Sequence, residues 1–173
     1  REFITATIGQ SYYTDAKAAI YDQRYQSNNG TAPSHFSPLA LAVRATPTDL
    51  ISANFRTEYD TKFHAIRTMS ADASFRIGDW LQSVEGWSQR RFIEGLPGFN
   101  DPTRLDHYFN GASTFRFKQN RYGGIHQFNY DILRHSFLQQ RFVAYYNAQC
   151  CGFAVEYQTW DLSRITTSPI AQD

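Results

Sequence analysis

Charged side chains in this chain fall on one side of an alternating pattern, and that constrains its fold more than any other feature. In the segment 51–59, Ile51, Ala53, Phe55 and Tyr59 share one side with Thr57, while Ser52, Asn54, Arg56 and Glu58 share the other. The next segment opposes Phe63, Ala65, Met69, Ala71, Ala73, Phe75 and Ile77 to His64, Thr68, Ser70, Asp72, Ser74 and Arg76. Before them, Leu39, Leu41, Val43 and Ala45 oppose Ala40, Ala42 and Arg44. A strand sends successive side chains to opposite faces, so a period of two predicts sheet with one apolar face. Mid-strand charges sharpen the prediction: Arg44, Arg56, Glu58, Asp72, Arg76, Arg116, Asp131, Arg141 and Glu156 all fall on the polar side. Arg67 and Arg90 are exceptions, expected near an outer rim, and Lys17, Lys62 and Lys118 avoid strand middles.

Nine strands are predicted, near 2–13, 36–46, 50–59, 63–77, 81–93, 106–118, 122–133, 137–148 and 152–161. The fifth, around Trp80–Glu85, alternates poorly. An aromatic content of 16% suits pleated sheet. Most of these strands exceed the ~5–6 residues usual in soluble sheets and reach the ~9–11 that cross a bilayer at a tilt. Long links are expected at 14–35 and 94–106, and short turns near Pro47, Asp60, Gly78, Asn120, His135 and Cys150. Strict up-and-down order puts both long links at one end and the turns at Pro47, Asp79, Asn120 and Cys150 at the other, as in transmembrane barrels. Aromatics at strand ends suit the two interfacial girdles: Tyr12, Tyr13, Tyr59, Phe63 and Phe92 on one rim, Trp80, Phe117, Tyr122, Tyr146 and Phe153 on the other. The fold class expected is all-β, an antiparallel up-and-down transmembrane barrel segment of about nine strands from a larger barrel. A soluble sandwich shows the same alternation with its apolar face packed inward.

Composition excludes other classes. A net charge of +1 over 173 residues, with 14 Arg and 3 Lys scattered along the chain, argues against nucleic-acid binding. No apolar run approaches the ~20 residues of a transmembrane helix; Pro38–Val43 stops at Arg44. A mean hydropathy of −0.52 does not count against a barrel, whose lipid-facing stripe hides in a polar average. His35, His64, His107, His126 and His135 show no metal-ligand spacing, and neither a nucleophile elbow nor a phosphate loop occurs. No cofactor, metal or catalytic residue is therefore expected. His64 and His126 read as lumen or rim residues, and Gly123-Gly124 as a kink. Asp72 with Glu58, and Arg56 with Arg76, read as a salt-bridged lining rather than a catalytic pair. The Asn29-Gly30-Thr31 sequon carries little weight.

Cys150 and Cys151, the only cysteines, fall in a hairpin turn. Adjacent cysteines bond to each other only through a strained ring, so each is expected to reach a partner elsewhere, in a larger oxidised protein. Two free buried thiols are the other reading. A chain starting at Arg1 is expected to be a piece of something longer.

The segment Tyr145-Tyr146-Asn147-Ala148-Gln149-Cys150-Cys151-Gly152-Phe153-Ala154-Val155 resembles the C-terminal signature of the outer-membrane LPS-assembly family, LptD (OstA). Ile8-Gly9-Gln10-Ser11-Tyr12-Tyr13 and Ser37-Pro38-Leu39 also resemble that family's barrel. The likeness spans nearly all of residues 1–173 but only the C-terminal part of a full-length member, so the periplasmic domain and first barrel strands are expected to be missing. After Ile165–Pro169 no closing strand is expected. The resemblance implies a very large barrel of the Gram-negative outer membrane that receives lipopolysaccharide from periplasmic bridge proteins. It releases that lipid into the outer leaflet and makes or breaks no bond. An LptE-type lipoprotein plug would sit in the lumen, outer-membrane lipid would surround the wall, and Cys150 and Cys151 would form disulfides to cysteines of the periplasmic region. Arg56, Arg76, Arg116 and Arg141 could pair with lipopolysaccharide phosphates. A passive porin or nutrient receptor, or a soluble β-rich binding domain, are the alternatives.

Overall fold

A computed structural model describes residues 3–22 and 33–161; the Asn29 sequon and the Ile165–Pro169 segment lie outside the described residues. Nine antiparallel strands form one sheet in strict sequence order. They are β1 (Ile4–Gly9), β2 (Leu39–Thr48), β3 (Ile51–Asp60), β4 (Ala65–Ile77), β5 (Leu81–Arg90), β6 (His107–Phe117), β7 (Tyr122–Asp131), β8 (Ser136–Asn147) and β9 (Gly152–Trp160). The sheet is not closed: β1 and β9 are its edges. No second sheet packs on it among the described residues, so the sandwich alternative has no partner layer here. No helix among those residues is long and apolar enough to cross a membrane, which says nothing about a barrel.

Every strand is found close to its predicted place, and the departures have local causes. β1 ends at Gly9 because Ser37 interrupts the ladder: its hydroxyl accepts from the Ser11 N–H (2.8 Å), and Gln10 Nε2 donates to its carbonyl (3.1 Å). Pairing resumes at an isolated Tyr12–Phe36 bridge. β2 runs through Pro47, where the missing N–H breaks the register between Ala45 and Thr48. Gly123 leaves space for the Tyr145 ring on β8, since a Cβ there would lie 2.2 Å from the phenol oxygen.

The connections segregate as expected. The links 10–38 and 91–106 share one end of the sheet with the tight turns 61–64 and 132–135, and the turns 49–50, 78–80, 118–121 and 148–151 form the other end. The two tight turns beside the long links are built alike. Asp60 accepts from the N–H groups of Lys62 and Phe63 (2.9 and 3.0 Å), and Asp131 accepts from the N–H of Arg134 (3.2 Å). Each turn closes on a histidine in the left-handed region, His64 and His135, both at φ 51. Beyond each turn the register shifts, leaving Arg67 and Leu138 as the extra residues of two bulges.

The buried apolar cluster lies at this end rather than on the sheet. The link 91–106 folds back so that Ile93, Leu96 and Phe99 pack together against Phe63 and Ala65. Arg67 and Arg90 bracket the Phe99 ring, with guanidinium carbons 4.8 and 4.9 Å from its centroid. Arg67 is therefore not a headgroup-facing rim residue. The bulge turns it under the loop, where it is 2% exposed and 3.9 Å from the Asp60 carboxylate.

Candidate functional site

Register assigns each strand residue to a face, and the polar face is the candidate site. Following pairs across the sheet, Arg44 lies opposite Asn54 and Asn54 opposite Asp72; Arg56 lies opposite Ser70; Arg76 lies opposite Gln82 and Gln82 opposite Thr114. Arg116 lies opposite Gly123, Asp131 opposite Tyr108, and Arg141 opposite Gln127. Glu156 lies opposite Val143, two residues from Arg141. All nine charged positions, Glu58 included, thus share one face, with Ser52, Ser74 and Asn110 between them.

Only some of them meet. Arg141 forks onto Glu156, its Nε and Nη2 donating at 2.7 and 3.2 Å, and its Nη1 reaches Gln127 at 3.2 Å. Asp72 accepts from Asn54 Nδ2 at 2.6 Å. The lining expected from Arg56 with Arg76, and from Asp72 with Glu58, does not form. Arg56 lies opposite Ser70 and Glu58 opposite Thr68, which separates each pair by several residues along the strand. Asp131 does not line open space either: it is fully buried, holding Arg134 Nη1 at 2.8 Å within its turn. Arg44, Arg56, Arg76 and Arg116 are exposed and have no side-chain hydrogen bond or ion pair among the described residues. Arg76 and Arg116 line a common cavity beside the turns 78–80 and 118–121.

The opposite face is apolar and uncovered. Ile4, Ile8, Phe142, Phe153, Val155 and Tyr157 on it are all exposed. At the short-turn end, Phe117, Tyr122, Tyr146 and Phe153 form one cross-strand row, with Trp80 stacked on Phe117. At the other end the aromatics divide: Phe63 joins the buried loop cluster, while Phe92 stays exposed.

One polar group on this apolar face escapes sequence reasoning. Ser83 and Glu85 on β5, Ser113 on β6 and His126 on β7 point the same way as Phe75 and Phe115. The Ser83 hydroxyl donates to Glu85 Oε1 and pairs with Ser113 Oγ, both at 2.7 Å. Glu85 Oε2 and His126 Nε2 are enclosed with no hydrogen-bond partner. His126 is not a lumen or rim residue; its ring stacks between Phe142 (4.2 Å) and Phe128 (5.4 Å). The irregular alternation around Trp80–Glu85 was the signal for this row. Glu85 lies across Gly111, where a Cβ would sit 2.0 Å from Oε2 and 2.6 Å from the Phe128 ring. Gly111→Ala is therefore expected to cost about 1–3 kcal/mol, as overpacking does. Thermal unfolding in detergent checks this, and adding Glu85→Ala should recover part of the loss.

Cys150 and Cys151 lie in the turn 148–151, at the end opposite the long links. Both are exposed and free, with sulfurs 3.5 Å apart, so the reading of two buried thiols does not hold. The turn is closed by the Ala148 N–H donating to the Cys151 carbonyl at 2.7 Å. Among the described residues no group of metal-ligating side chains gathers.

In comparisons with known proteins, no family model matches the chain and no curated protein matches it.

Proposed function

We propose that this chain is part of the wall of a transmembrane β-barrel in the Gram-negative outer membrane, and that the complete barrel inserts lipopolysaccharide into the outer leaflet. The observation that carries the membrane reading is the division of the sheet: one face is apolar and uncovered, and nine charged positions share the other. Water-soluble sheets bury such a face against a second layer. Hydrocarbon would cover its apolar side chains at no desolvation cost, the aromatic row from Phe117 to Phe153 would lie at headgroup level, and further strands would pair with the open edges of β1 and β9. The polar face would then line a lumen able to hold an LptE-type lipoprotein plug.

Support for the transport reading comes from two features together. Two exposed thiols sit at the end opposite the long links, which in a barrel of this class is the periplasmic side, an oxidising compartment. Among the described residues, four guanidiniums on the polar face lack a carboxylate partner, the chemistry that a phosphorylated glycolipid requires. Bridge proteins would deliver the lipid, and no covalent chemistry is needed.

Non-reducing electrophoresis of the full-length protein tests this. Wild type is expected to run as an oxidised species that shifts on reduction, and Cys150→Ser with Cys151→Ser is expected to abolish the shift. Depletion of the protein in cells should lower surface lipopolysaccharide several-fold. Identical migration of wild type and the double variant, with surface lipopolysaccharide unchanged on depletion, would overturn the transport reading in favour of a passive pore.

A further inference from the structure

The link 91–106 lies against one face of the sheet, and register says which. Arg90 lies opposite Thr68 and Thr68 opposite Glu58, so Arg90 belongs to the polar face. Asp131 lies opposite Tyr108, Tyr108 opposite Ser88, Ser88 opposite Ser70 and Ser70 opposite Arg56, which places Asp131 there too. The link is held at both places. The Arg90 guanidinium carbon stands 4.9 Å from the Phe99 ring centroid, and Arg90 Nη1 donates to the Gly98 carbonyl at 3.5 Å. Further along, the Thr103 carbonyl accepts from Arg134 Nη2 at 3.3 Å, while Arg134 Nη1 holds the buried Asp131 carboxylate.

The grip comes from the hairpins on either side of the link. Arg67 belongs to the β3–β4 hairpin and stands 4.8 Å from the same Phe99 ring; Arg134 belongs to the β7–β8 hairpin. A guanidinium over an aromatic face is attracted by the ring quadrupole, more strongly once water is excluded. Buried backbone groups need partners, and the link supplies its own. The Ile93 N–H donates to the Phe99 carbonyl (3.0 Å), the Leu96 N–H to the Ile93 carbonyl (3.3 Å) and the Phe99 N–H to the Leu96 carbonyl (3.0 Å). Gly95 and Gly98, at φ 77 and 82, make the two reversals. Ile93, Leu96 and Phe99 turn inward and are buried, while Phe92 and Glu94 stay exposed. The link is a closed, self-bonded unit, not a slack connection.

We infer that link 91–106 is a fixed cover over the polar face at the long-link end, closing that stretch of the lumen to polar solutes. The inference rests on the barrel reading above, in which the polar face lines the lumen. Barrel interiors are water-filled in some proteins and plugged by their own loops in others. Here arginines from two neighbouring hairpins make the cover part of the wall, so it stays shut without a ligand. The cover is independent of what the barrel carries.

Vesicle swelling tests the cover. Full-length protein is reconstituted alone into lipid vesicles, its integration is read by heat-modifiable migration, and entry of a neutral trisaccharide is followed by light scattering. Wild type is expected to admit the sugar slowly. Phe99→Ala, which removes the ring that Arg67 and Arg90 hold, should speed entry at least tenfold. Arg134→Gln, which frees the link from the other hairpin, should speed it by a smaller factor and carries the test if Phe99→Ala does not fold. Phe92→Ala, on the outward side, should match wild type. Wild type that admits the sugar as fast as either opened variant would overturn the cover. So would a folded Phe99→Ala protein whose link is cut faster by protease while sugar entry stays slow. Failure of wild type to integrate into vesicles would instead overturn the barrel reading on which the cover depends.

Discussion

Ala71→Arg is expected to prevent stable insertion of the barrel, whereas Ala112→Arg is expected to be tolerated. The two alanines are both mid-strand, on β4 and β6, but register puts them on opposite faces. Ala71 lies between Phe55 and Trp87 on the apolar face; Ala112 lies between Val84 and Gln127 on the polar face. An arginine facing hydrocarbon near midplane costs about 2–4 kcal/mol. One facing a water-filled lumen loses only a little packing. Folding yields into lipid vesicles, read by heat-modifiable migration, check the pair. Equal yields for the two variants would mean that the apolar face does not meet lipid.

Phe99→Ala is expected to open the link 91–106 while leaving the sheet in place. Phe99 is 3% exposed, packs with Ile93 and Leu96, and is bracketed by Arg67 and Arg90. Removing a buried phenyl ring costs roughly 3–5 kcal/mol, and this cluster has few other apolar members to share the loss. The loss also strips Arg67 of the ring that covers it. Limited proteolysis should cut the link at least tenfold faster in the variant, with the unfolding transition of the strands little changed. A drop in strand stability equal to the loss at the loop would show that the link supports the whole wall.

Much of this architecture was legible in the alternation of residues. A period of two is a local property of the pleat, so the strands of Ile51–Asp60 and Ala65–Ile77 and the sides of their charges could be read directly. The same holds for the grouping of the long links at one end, since antiparallel order alone dictates it. Corrections arose where side chains answer to neighbours far away in sequence. Arg67 reads as a rim charge until a one-residue bulge turns it under a loop some thirty residues downstream. Asp131 reads as a polar-face charge, yet its carboxylate is consumed by its own turn. Nothing next to Gly123 in sequence announces that the Tyr145 ring, from the next strand, occupies the space above it.

By itself, the sequence determined that the chain is a meander of long strands with one oily side, because alternation, turn residues and strand length are written into adjacent positions. Which arginines meet an acid, which converge on a common cleft, and where Glu85 and His126 lie on the oily side were decided by tertiary structure alone. Those outcomes depend on the register between strands, and a shift of one residue would send every side chain of a strand to the other face.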